Sequence, residues 1–125
     1  MLYDAIIMSG VIIAVVEDML FKSKIRAVAE AVGTEISFPR DKDALIQKAR
    51  DAKPRLIIVD LHHQKIDPAT LATELKADEA LRAVSLLGFF SHVQTELQQN
   101  ALAAGFDQVI PRSVFARDLS KILSV

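Results

Sequence analysis

The chain of 125 residues contains no cysteine and no tryptophan, and only four glycines and four prolines. Without cysteine there are no disulfides and no thiolate metal sites, which fits a reducing compartment, so a cytoplasmic location is expected. Neither sign of charge is in excess: 15 Lys and Arg stand against 16 Asp and Glu, a formal −1. No basic face for nucleic acid is therefore expected. No apolar run reaches the roughly 20 residues that a membrane-spanning helix needs. The longest, from Ala5 to Val16, is broken by Ser9-Gly10 and preceded by Asp4 rather than by cations. A buried first strand is expected there, not an export signal or a membrane segment. Repeats, low-complexity tracts and linkers are also missing, so one domain is expected over 1–125, with 1–9 as an N-terminal extension of open role.

What is present is apolar sequence in short blocks. A hydrophobic content of 51% and a mean hydropathy of +0.28 supply a core and exclude disorder. The most informative block is Leu56-Ile57-Ile58-Val59, which stops at Asp60 and is followed by Leu61-His62-His63. A short β-branched run between polar flanks predicts a strand buried on both faces, the kind found in parallel sheets covered by helices. Similar strands are predicted for 10–16, ending at Glu17-Asp18, and for 84–90, ending at Ser91-His92. Shorter ones are predicted for 34–39 and 108–110. Between them, helical spacing predicts helices over 19–32 (Leu20, Phe21, Ile25, Val28, Ala31 and Val32 inward), 44–52, 68–76, 94–104 and 115–123. Gly33 and Gly105 are placed to stop two of them, and Asp67-Pro68 to start another.

Five strands alternating with five helices predict an α/β fold, a doubly wound five-stranded parallel sheet with helices on both faces. Strands of a parallel sheet all end on one side, where ligands of such folds bind. That edge collects Glu17, Asp18, Asp60, Ser91, His92 and Arg112. Two carboxylates about 4 Å apart repel by roughly 4 kcal/mol at an effective dielectric near 20, so the cluster calls for a proton, a cation or a metal. Mg²⁺ suits it, because that ion takes hard oxygen ligands and keeps several waters.

In this order of residues the chain resembles the receiver domain of bacterial two-component response regulators. The resemblance rests on Glu17-Asp18, Asp60 after Leu-Ile-Ile-Val, Ser91 after the fourth strand and Arg112 after the fifth, and runs from Val11 to Leu123. It implies Glu17, Asp18 and Asp60 as Mg²⁺ ligands together with the main-chain carbonyl of His62. It implies Asp60 as phosphoacceptor, Ser91 as the hydroxyl that contacts the phosphoryl group, and Arg112 in place of the family's lysine. The implied partners are a sensor histidine kinase or phosphotransfer protein and a downstream protein target, with a homodimer possible through the same fold. A stand-alone signalling protein rather than an enzyme is expected, with the signal leaving through the last two helices and the fifth strand.

Several residues depart from the family pattern. Arginine is a permanently charged planar fork and does not reproduce a lysine point charge. Pro111 precedes Arg112 where the family has proline after its lysine, so the following loop is expected to take another shape. His92 stands where the family has a small residue, and Val109 where it has an aromatic ring. A phosphorylation-independent interaction module therefore stays open beside the phosphorelay reading, and Arg112 paired with Asp60 as a structural ion pair stays open beside phosphate recognition. A small flavodoxin-like enzyme or cofactor carrier is disfavoured, because Glu17 and Asp18 occupy the loop that would cradle a phosphate. His62-His63 lacks a third ligand for a transition metal. Asp60-Leu61-His62 echoes a cobalamin motif, but Lys65 sits at its glycine position. Ser91-His92 lacks the glycine elbow of a hydrolase.

Overall fold

In the computed structural model, residues 10–124 are described; the expectation for 1–9 falls outside them. The elements are β1 (Ile12–Val15), α1 (Met19–Val32), β2 (Ile36–Ser37), α2 (Lys42–Ala52), β3 (Leu56–Asp60), α3 (Pro68–Ala77), β4 (Ser85–Phe90), α4 (Thr95–Ala104), β5 (Gln108–Pro111), α5 (Arg112–Arg117) and α6 (Leu119–Leu123). The strands form one parallel sheet in the order β2-β1-β3-β4-β5. Among the described residues no helix is long and apolar enough to cross a membrane.

The alternation of side chains along each strand divides the core into two layers. Ile13, Val15, Ile57 and Val59 face Leu45 and Ala49 of α2, Leu71 and Leu75 of α3 and Ala101 of α4. Ile12, Ala14, Ile58 and Phe89 face the other way, onto Phe21 and Ile25 of α1, Phe115 of α5 and Leu119 and Leu123 of α6. This is why β1 is apolar at every position and β3 at every position before Asp60: both faces are covered.

Local signals set the element ends. Asp18, Asp41 and Asp67 each accept backbone N–H groups at the first turn of α1, α2 and α3. Gly33 ends α1 at φ 76°, a left-handed conformation that glycine adopts at no steric cost. Gly88 has a different role. A Cβ there would lie 2.7 Å from Leu61 Cδ2, so the missing side chain lets β4 pass against the residue that follows Asp60.

Four expectations are corrected. The C-terminal helix begins at Arg112 rather than Phe115 and divides at Asp118 into α5 and α6, so six helices are described instead of five. The strand before it runs on to Pro111, so strand passes directly into helix. The second strand shrinks from 34–39 to Ile36–Ser37, an edge strand paired only to β1. Leu20 and Ala31 face solvent; Phe21 and Ile25 are buried as expected, and Ala29 joins them, at i, i+4 and i+8.

Candidate functional site

Register brings the predicted residues together. Val15 pairs with Val59, Asp60 with Phe89 and Phe90 with Pro111, so Glu17, Asp18, Asp60, Ser91 and Arg112 all leave the sheet at its carboxyl edge. Their side chains are not equivalent there.

Asp60 is half-buried at the tip of β3. Its Oδ1 accepts the His62 N–H at 2.9 Å, and the His63 N–H donates to its carbonyl at 3.0 Å, closing a turn that also holds the His62 carbonyl. Among the described residues nothing donates to Oδ2. Ser91, at the end of the neighbouring strand, is exposed, and among the described residues its hydroxyl makes no hydrogen bond. One carboxylate oxygen and one hydroxyl on adjacent strand ends are thus uncommitted.

Asp18 is fully engaged. Oδ1 accepts the N–H groups of Leu20 at 2.9 Å and Phe21 at 3.1 Å, and Oδ2 accepts Arg112 Nη2 at 3.0 Å. The Arg112 guanidinium lies over the Phe21 ring, 4.0 Å from its centroid. Arg112 therefore pairs with Asp18, and not with Asp60 as in the structural ion pair that the sequence left open. Glu17 turns the other way: its Oε1 accepts the Gln64 N–H and lies 3.9 Å from His63 Nδ1. The same Nδ1 accepts the Lys65 N–H at 3.1 Å.

The bond from Phe21 N–H, and after it the bond from Arg112, hold the Asp18 carboxyl below the usual carboxylate range. The folded pKa lies below the unfolded one, so the stabilisation is present above the ordinary aspartate pKa and is lost as pH falls through the depressed one. In a carboxyl-carbon NMR titration, Arg112→Ala is expected to raise the Asp18 midpoint only part of the way to the unfolded value, since the larger cause remains. A midpoint that does not move would show that the ion pair is absent in solution.

No three His, Asp or Glu side chains among the described residues are grouped to hold a metal ion. The reason is visible in the acids themselves: Asp18 is spent on a helix cap and Arg112, and Glu17 on the Gln64 amide. As they stand, Glu17, Asp18 and Asp60 do not fit Mg²⁺, and a guanidinium neutralises Asp18 instead. His62 and His92, by contrast, come together. The His92 N–H points at His62 Nε2 across 3.4 Å and the rings meet edge-on at 5.5 Å. Sequence reasoning missed Phe21 as the platform for Arg112, although its position three residues after Asp18, on the first turn of the same helix, was a usable signal. Nothing in the sequence marked the Gln64 amide.

No family model matches this sequence, and no curated protein matches it. Among solved structures, the chemotaxis response regulator CheY4 of Vibrio cholerae is 17% identical with a TM-score of 0.78, covering 94% of this chain and 97% of that one. A response-regulator receiver domain from Bermanella marisrubri is 17% identical with a TM-score of 0.79, over 92% and 95%. The receiver domain of the sensor histidine kinase PA1611 from Pseudomonas aeruginosa, solved with a magnesium ion coordinated in its active-site cleft, is 19% identical with a TM-score of 0.77, over 90% and 93%. The chain therefore has the receiver fold, CheY-like and flavodoxin-like, as the resemblance implied.

Proposed function

We propose that this chain is a receiver-like signalling module of the phosphorelay type, with Asp60 as phosphoacceptor and a switch altered by Arg112. The observation that carries the reading is Asp60 at the carboxyl tip of β3 with Oδ2 uncommitted, beside the uncommitted Ser91 hydroxyl of the adjacent strand. In the reaction, an Asp60 carboxylate oxygen attacks the phosphorus of a donor such as a phosphohistidine. The bond from phosphorus to the donor breaks, and the leaving group departs with its electron pair. Ser91 donates to a phosphoryl oxygen of the product. Arg112 supplies positive charge at the same edge once it leaves Asp18. The pair it must leave is a weak one, because both partners are more than a third exposed and solvent screens them. On this reading the partners are a histidine kinase or phosphotransfer protein in the cytoplasm and a downstream protein.

A second reading is favoured by one observation, the Arg112–Asp18 pair, which occupies a carboxylate that phosphorylation chemistry would use. In it the chain is a phosphorylation-independent interaction module. Incubation with acetyl phosphate and Mg²⁺ separates the two. A base-labile acyl phosphate is expected on the wild type and none on Asp60→Asn, with more on Arg112→Lys. Equal labelling of the wild type and Asp60→Asn would remove Asp60 as acceptor, and no labelling of any variant would leave the second reading.

A further inference from the structure

The carboxyl edge of the sheet has a second recess, on the β2 side of the acids. A cleft of about 180 Å³ is lined by Glu17 after β1, Lys22 of α1, Arg40 after β2, and His63 and Lys65 after β3. Three cations from three separate segments meet there against one carboxylate. That carboxylate is itself engaged, through Oε1, by the Gln64 N–H.

Like Lys24, Arg26, Lys48 and Lys121, these cations form no ion pair among the described residues, and what sets them apart is that all three line one cleft. Lys42, Arg50, Lys76, Arg112 and Arg117 each face a carboxylate within 4 Å, whereas among the described residues Lys22, Arg40 and Lys65 form no ion pair. Acids outnumber cations in this chain, so three unpaired cations around one cleft make a local field opposite in sign to the net charge. Lys22 is also steadied: its Nζ lies 5.8 Å from the Phe38 ring, which Arg26 approaches at 4.9 Å. The position in the fold is the one such sheets use for ligands. In the order β2-β1-β3-β4-β5 the winding direction reverses between β1 and β3, and the cleft is bounded by the segments that follow those two strands.

We propose that this cleft binds a compact phosphate-bearing anion of small-molecule size, held by Lys22, Arg40 and Lys65. A guanidinium fork and two ammonium groups suit an ion with several oxygens and at least two charges. The cleft is well below the roughly 300 Å³ at which pockets for drug-sized molecules begin, so it admits one or two phosphate groups and not a base or a length of peptide. Binding there does not use Asp60, so it stands or falls independently of the phosphoacceptor reading.

The probe is inorganic pyrophosphate, titrated without divalent cations into the full chain while backbone amides are followed by NMR. Saturable shifts centred on Arg40 and Lys65 are expected, unchanged in Asp60→Asn. The exposed pair Arg40→Ala/Lys65→Ala is expected to weaken binding about tenfold or more, as the loss of two charge-assisted contacts implies. Lys121→Ala removes an exposed cation of α6 that does not line the cleft and is expected to change it by less than about twofold, because solvent and salt screen exposed charges outside the site. Glu17→Gln is expected to tighten binding by relieving the one like charge. Shifts that never saturate, or an equal loss in Lys121→Ala, would reduce the effect to general charge attraction and overturn the site. Tighter binding of an acidic peptide than of pyrophosphate at the same amides would overturn it in favour of a protein docking surface.

Discussion

Phe21→Ala is expected to destabilise the protein by about 3 to 5 kcal/mol, the usual range for removing a buried phenyl ring. The ring is only 6% exposed and stands edge-on to two others, with centroids 5.5 Å from Phe89 and 5.8 Å from Phe115. Those two are stacked at 4.9 Å, so the cavity left by alanine would be walled by rigid rings that cannot collapse into it. The urea midpoint should fall with the slope unchanged. Phe21→Leu keeps most of the apolar volume and should cost clearly less. In both variants the Arg112 side-chain protons should lose the ring-current shift that a guanidinium 4.0 Å above an aromatic face must show. The core variant thus also reads out the site, since one ring serves both. A midpoint for the alanine variant within error of wild type would mean that the three rings do not form a common core.

Arg55→Ala is expected to cost about 2 kcal/mol, within the range for a hydrogen bond to a charged group. Arg55 precedes β3, yet its Nη2 donates to the carbonyls of Leu123 at 2.9 Å and Ser124 at 3.1 Å. Thr34, just past the end of α1, donates its hydroxyl to the same Leu123 carbonyl at 2.6 Å. A five-residue helix cannot hold its own last carbonyls, and a cation at its C-terminus also meets the negative end of the helix dipole. Together the two side chains clasp α6 onto the sheet and α1. Thr34→Val should cost about 1 kcal/mol, as a lost neutral hydrogen bond does. Because both donors serve one carbonyl, the double variant should cost more than the two single changes added, since only then is that carbonyl left without a donor. Hydrogen exchange at Ile122 and Ser124 should quicken before that of β3. Strict additivity would show that the clasp does not act as a unit.

The positions of the elements were legible in the sequence wherever the signal acts over a few residues. Asp67-Pro68 opens α3 and Gly33 closes α1 because caps and left-handed turns are decided within one helical turn. The runs Ile12–Val15 and Leu56–Asp60 announced buried strands because both faces of a central parallel strand need apolar residues. The alternation of strands and helices then determined the sheet, and with it that Glu17, Asp18, Asp60, Ser91 and Arg112 share one edge. Where periodicity erred it was at ends: Leu20 belongs to an apolar helix by composition but lies in its first turn, outside the covered stripe, and is 85% exposed.

Which of the gathered side chains touch was decided by the tertiary structure alone. Asp18 and Arg112 are 94 residues apart, and either acid of the pair, or Asp60, could have received the guanidinium. The differences in energy between such exposed pairings are small, so no local preference selects one. What selects Asp18 is shape. Strand β5 passes into α5 at Pro111, Phe21 presents its face to the start of that helix, and a planar guanidinium laid on the ring reaches the Asp18 oxygen that the helix cap leaves free. The sequence by itself determined the fold and the residues at its carboxyl edge. The packing of one aromatic ring determined that Asp18 is closed by a cation while an oxygen of Asp60 stays open.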